Sequence, residues 1–117
     1  MERRNITNEH GENVGWFDVD AAHSWDEDRE FDGSNMISVA TGSQWDHERL
    51  FLTAKGAWVL KQWSQWQGSR TTYQRIYESQ AVDWLVANGE FENAMSDESL
   101  PAKVREAISA AVAGMEA

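Results

Sequence analysis

The chain has 117 residues, with 41% hydrophobic and 26% charged side chains and a net charge of −10, which reads as one acidic globular domain. There is no cysteine, so disulfides, thiol catalysis and thiolate zinc sites are excluded together. The acidity argues against a phosphate-backbone partner, because nucleic-acid binding begins with basic surface. Charge is uneven along the chain. Residues 1–50 carry twelve acids and four bases, residues 51–89 two acids and four bases, and residues 90–117 six acids and two bases.

Residues 1–13 are polar and without periodicity, and read as a loose arm. Two arginines near the start are followed by no apolar stretch, so no secretory signal is predicted, no run is long enough to span a bilayer, and a cytoplasmic location is expected. Val14 to Phe17 is a short apolar run that suits an edge strand. Asp18 is placed to cap a short helix through Trp25. The acids Asp26, Glu27, Asp28 and Glu30 oppose a helix dipole at its C-terminal end and should stop it. Asp32-Gly33-Ser34-Asn35 is a turn signal.

The best-specified stretch is 36–89. Met36–Ala40 and His47–Thr53 read as strands, the second with Leu50 and Leu52 on one face and Arg49 and Phe51 on the other. Ala54-Lys55-Gly56 reads as a hairpin loop. Ala57–Trp66 is the longest strand candidate. Its parity groups Trp58, Leu60 and Trp66 as core, and Val59 and Trp63 on a more polar face. Thr71–Tyr77 follows after a Gly68-containing turn. Ser79 is a candidate cap for a helix from Gln80 to Ala87, and Asn88-Gly89 is a stop. Glu90–Ser99 is an acidic connector. Pro101 opens a final helix whose Val104, Ile108, Ala111, Val112 and Met115 fall at helical spacing. Its alanines, Ala107 and Ala111, would suit pairing with a second copy. The predicted fold is α+β: an antiparallel β-meander of three to five strands packed by one or two helices. The core domain is placed at 14–89, the arm at 1–13, and the connector and C-terminal helix at 90–117.

Gly15-Trp16-Phe17-Asp18, Thr41-Gly42-Ser43-Gln44-Trp45-Asp46-His47-Glu48, Trp58-Val59-Leu60 and Trp63-Ser64-Gln65-Trp66-Gln67-Gly68-Ser69 resemble a set of short bacterial proteins met in chromosomes, plasmids and phage-like elements. The resemblance spans residues 15–89. It implies no activity and no catalytic residue; it implies that residues 36–89 are the domain proper.

Three constellations bear on chemistry. Asp18, Asp20 and His23, with Asp46, His47 and Glu48, are the only set suited to a divalent ion, and Asp18, Asp20, His23 and His47 from it to hydrolysis by a metal-bound water. Against this, no recognised ligand spacing is present and a solvated acidic surface explains the same residues, so no cofactor is predicted. Trp63, with Tyr73 on the next strand, offers an aromatic platform for a protein interface, a single-stranded RNA or a sugar. The segment 18–32 holds seven acids and one base, and Asp26, Glu27, Asp28 and Glu30 are candidates for docking on a basic protein surface in competition with nucleic acid. The leading expectation is a non-enzymatic protein-interaction module, a regulator or inhibitor carried by a mobile element, with those four acids and Trp63 and Tyr73 as its contact residues.

Overall fold

The computed structural model describes all 117 residues. Eight strands are formed: β1 Arg3–Thr7, β2 Asn13–Asp18, β3 His23–Asp26, β4 Arg29–Phe31, β5 Met36–Ser38, β6 Asp46–Leu52, β7 Trp58–Ser64 and β8 Thr72–Ile76. Three helices follow: α1 Glu78–Ala87, α2 Phe91–Ser96 and α3 Ala102–Ala113. Six strands make one sheet in the order β2-β1-β8-β7-β6-β3, and β4 and β5 form a separate two-stranded ribbon. The class is α+β, with more strands than the meander reading allowed. The sheet is mixed, because β1 meets β8 in parallel through the single pair Thr7 and Gln74.

The central hairpin follows the predicted parity. Leu50 pairs with Leu60 and Leu52 with Trp58 on one face, and Phe51 pairs with Val59 on the other. Gly56 turns the loop at φ 89°, a left-handed value that glycine adopts without a Cβ clash. The first face carries the larger core. Trp25, Leu50, Leu52 and Trp58 pack against Ala81, Val82, Trp84 and Leu85 of α1, Ala94 of α2 and Ile108 of α3. Gly89, at φ 70°, ends α1 where the Asn-Gly pair predicted.

The other face closes on itself. Phe17 of β2 and Phe51 of β6 are four strand positions apart, about 19 Å in a flat sheet at ~4.8 Å per strand. Their ring centroids nevertheless lie 5.4 Å apart. The sheet therefore curls, with Ile6, Phe17, Phe51 and Val59 buried in its concave side and the helices on its convex side.

Several expectations are corrected. Residues 1–13 are no arm: β1 and β2 form a hairpin over Arg3–Asp18. Its turn is built by Asn8, whose Oδ1 accepts from the amides of His10 and Glu12. Ile6 is the only large apolar residue in β1, so alternation left no trace. The helix at 18–25 is a single 3-10 turn, Val19–Ala21, which Asp18 does cap. The chain then extends into β3, because Trp25 reaches the core only from a strand. The segment 90–117 is part of the domain, since Ala94, Leu100 and Ile108 are buried with α1 and the sheet. Val104, Ala111 and Val112 pack against that same core, so the apolar stripe of α3 is used within the protomer. Tyr77 takes the cap position of α1 in place of Ser79, its amide donating to Gln80 Oε1 at 2.8 Å. Trp66 is not core. β7 ends at Ser64, whose hydroxyl accepts from the Trp66 amide, and the indole is 61% exposed against Trp45, 5.1 Å away between ring centroids.

Candidate functional site

The concave face gathers the groups best placed to bind. Going along β7, Val59 is buried, Lys61 comes next on the same side, and Trp63 follows at the rim. Lys61 pairs in register with Tyr73 of β8. Its ammonium lies 4.7 Å from the Trp63 ring centroid and 5.8 Å from that of Tyr73, close enough for cation–π attraction. Tyr73 stands against Phe17 and Phe51 in the concave core. Burial, with the Glu2 carboxylate, pushes its phenol above the usual value against the opposing pull of Arg4, so the hydroxyl stays a proton donor at neutral pH. Arg4 is opposite Phe17 in the β1–β2 hairpin, which brings a second cation to the rim. Arg70, in the exposed turn before β8, brings a third.

These side chains line a groove of about 640 Å³ formed by Arg4, Asn5, Thr7, Gly11, Lys61, Arg70, Thr71, Thr72 and Tyr73. Three cations and no carboxylate border it, in a chain of net charge −10. Arg70 and Thr72 also border a second hollow of about 410 Å³, whose Asp46, Glu48, Gln62 and Ser64 lie on the helix-covered face, opposite Lys61 and Tyr73 by strand alternation. Lys61 and Arg70 form no ion pair, while Arg4 reaches Glu2 at 3.5 Å. The groove is rich in hydroxyls and amides, which suits oxygen-bearing ligands.

Beside Trp63 lies a buried polar pair. His47 faces the indole at 5.5 Å between centroids, and its Nδ1 donates to Glu27 Oε2 at 2.7 Å. The other Glu27 oxygen accepts from the Glu48 amide. The Glu27 side chain is only 3% exposed, so its carboxylate is internal scaffolding. The imidazole Nε2 is buried without a hydrogen-bond partner.

The acidic docking set is therefore dispersed. Glu27 points inward. Asp26 sits opposite Arg49, with which it pairs at 3.2 Å. Asp28 accepts from the Arg29 amide through Oδ1, and its own amide donates to Asn88 Oδ1. Of the four, Glu30 alone is an exposed carboxylate with no hydrogen bond or ion pair in the fold. The metal set is dispersed too. His23 pairs with Leu52 and His47 with Trp63, about 17 Å apart along β6 at ~3.3 Å per residue, and on opposite faces. Asp18 accepts from the amides of Glu2 and Asp20, and Asp20 meets the amino terminus at 3.4 Å. No group of three His, Asp or Glu side chains is clustered to hold a metal ion.

Trp63 and Tyr73 are brought together as predicted, on one side of adjacent strands. Lys61, Arg4 and Arg70 were not singled out from sequence. The excess of bases over acids in 51–89 was the available signal, and Lys61 shares the parity of Trp63. Comparison with protein-family models, curated protein sequences and solved structures returned no match. No helix is long and apolar enough to cross a membrane.

Proposed function

We propose that this protein is a non-enzymatic binding module whose concave sheet face takes an anionic ligand. The single observation that carries this reading is the groove lined by Arg4, Lys61 and Arg70, of which only Arg4 has a carboxylate partner, Glu2. In a chain this acidic, three cations gathered on one surface hold a local potential opposite to that of the whole. Lys61 is the central group. The rings beneath it hold the ammonium in place without neutralising it, as a carboxylate partner would. Tyr73, in register with it, and Thr71 supply hydroxyls beside it. The groove is also of ordinary ligand-pocket size.

Titration with pyrophosphate at low salt, read by tryptophan fluorescence and by calorimetry, tests the proposal. Saturable binding is expected, weakening about tenfold in Lys61→Met, the loss of roughly one charge-assisted contact. Binding that is unaltered in Lys61→Met, or absent from the parent protein, overturns it.

A second reading keeps the acidic surface. Glu30, Phe31 and Met36 are all exposed on the β4–β5 ribbon, and Phe31 pairs with Met36. A ribbon with one apolar cross-strand pair beside an unpaired carboxylate suits a basic protein partner. Asp26 and Asp28 would add charge at its base. The double variant Glu30→Ser, Phe31→Ser should lose such a partner in a pulldown while leaving pyrophosphate binding intact.

A further inference from the structure

We propose that the exposed indoles of Trp45 and Trp66 bind a neutral oligosaccharide. The two rings stand just before β6 and just after β7, 40% and 61% exposed, with their centroids 5.1 Å apart. Neither lines the cationic groove, so this surface is independent of the anion site. Three observations carry the proposal.

The first is that the backbone under both rings is braced. Asp46 pairs with Ser64 at the end of the β6–β7 ladder, and the Gln65 amide donates to the Trp45 carbonyl at 3.0 Å. Ser43 Oγ accepts from the amides of Trp45 and Asp46. On the other side Ser64 Oγ accepts from the Trp66 amide, and the Ser69 hydroxyl donates to the Trp66 carbonyl. The two indoles are therefore positioned before a ligand arrives, which lowers the ordering cost of binding. Adjacent large rings held in water in this way form a contact surface.

The second is the chemistry beside the rings. Thr41-Gly42-Ser43-Gln44-Trp45 and Gln65-Trp66-Gln67-Gly68-Ser69 contain no charged and no aliphatic side chain, in a chain that is 26% charged. Asp46 and Arg70, which bound them, are one of each sign. A protein interface is apolar at its centre, with methionine and arginine beside the aromatic anchors, and a nucleic-acid strand requires cations. Indoles set among hydroxyls and carboxamides match a ligand with apolar C–H faces and a rim of neutral hydroxyls, which describes a sugar ring. Gln65 and Gln67 are exposed and each offers a donor and an acceptor, while the Ser43 and Ser64 hydroxyls, which accept within the fold, retain a proton to donate.

The third is shape. The ring planes are inclined at 48°, so one flat ligand such as a nucleobase does not lie on both. Consecutive sugar units rotate about the glycosidic bond between them, and each can stack on its own indole. Neither ring lines a cavity, so the surface suits a stretch of an open chain in place of an enclosed monosaccharide.

The experiment titrates cellotetraose, maltotetraose, xylotetraose, glucose and a twelve-residue oligothymidylate into the full chain, followed by calorimetry and tryptophan emission. At least one tetrasaccharide is expected to bind saturably and about tenfold or more tightly than glucose. Trp45→Ala and Trp66→Ala should each weaken that binding about tenfold, and Trp66→Ala should leave the unfolding midpoint and the response to pyrophosphate as they are in the parent chain. Trp16→Ala, at an exposed indole elsewhere on the sheet, should leave sugar binding intact. The absence of saturable binding by all three tetrasaccharides overturns the proposal, as does an unaltered affinity in both the Trp45 and Trp66 variants. Tighter binding of the oligothymidylate than of the best sugar would assign the indoles to nucleic acid. Self-association of the parent chain that disappears in Trp66→Ala would make them a contact between copies. Either of these results overturns the sugar reading.

Discussion

Glu27 is one of seven acids between residues 18 and 32, and nothing in its local sequence distinguishes it from the others. Its position after β3 turns it inward, where it satisfies two donors, the Nδ1–H of His47 and the amide of Glu48. Removing it orphans both. At about 1–3 kcal/mol for each buried donor left unsatisfied, Glu27→Ala should cost roughly 2–4 kcal/mol in urea unfolding. Glu27→Gln keeps one acceptor oxygen and should cost less. A loss equal to that of an exposed acid, such as Glu30→Ala, would show that the carboxylate is solvated. Asp32 works through its turn. The Ser34 and Asn35 amides donate to its Oδ1 and hold its pKa below the ordinary 3.8. Asp97 is lowered in the same direction by the Ser99 hydroxyl and amide. In both cases the folded state binds its proton less tightly than the unfolded state. The stabilisation is therefore complete above about pH 4 and is lost as pH falls through the depressed folded values. Both groups are exposed, so the effect is small. Asp32→Asn should flatten the part of the acid-unfolding curve below pH 4 that belongs to the ribbon, followed through the amide signals of Gly33 and Ser34.

At the scale of elements, α1 brings four buried residues to the core over the sheet, and α2 and α3 one each. Ile108 of α3 and Leu85 of α1 have no exposed surface, and both belong to the core over Leu50 and Leu52. Ile108→Ala should cost about 2–5 kcal/mol, the usual range for cutting a buried aliphatic side chain to alanine. Met115→Ala should change stability by less than about 0.5 kcal/mol, since Met115 is 45% exposed beyond the last turn of α3. Equal unfolding midpoints for the two variants would mean that α3 is not docked. Hairpin parity was legible because β6 and β7 alternate clearly and Gly56 fixes their turn. The β1–β2 hairpin was not, because Arg3, Arg4 and Asn5 offer no alternation. The Asn8 to Gly11 turn was its one local sign. The acidic run 26–30 looked like a terminated helix because dipole rules treat charges locally. The segment in fact continues through strand β3, the link at 27–28 and strand β4, held by Asn88 from α1.

At the scale of the molecule, curvature sorts the seven tryptophans into three environments. Trp25, Trp58 and Trp84 are buried under the helices, Trp63 is half-buried at the groove, and Trp16, Trp45 and Trp66 are exposed. Iodide should quench only the exposed fraction of the emission. Trp16→Phe with Trp66→Phe should remove most of that fraction, whereas Trp58→Phe should leave it untouched. Trp16 has Arg3 stacked at 4.7 Å, so its quenching should depend on salt more than that of Trp66. The sheet also decides which charges meet. Lys61, Arg4 and Arg70 are distant in sequence, and their convergence depends on β1 docking beside β8.

Local chemistry was enough for the α+β class, the β6–β7–β8 succession, the faces of Leu50, Phe51, Val59 and Trp63, and the stop of α1. Each of these depends on side-chain alternation, turn residues or capping within a few positions. Six-strand order, the parallel β1–β8 contact, the inward turn of Glu27 and the cationic groove came from tertiary structure alone. They depend on a curled sheet bringing strands four places apart into contact. That curl follows from the combined burial of Phe17, Phe51 and Tyr73, which no single segment encodes.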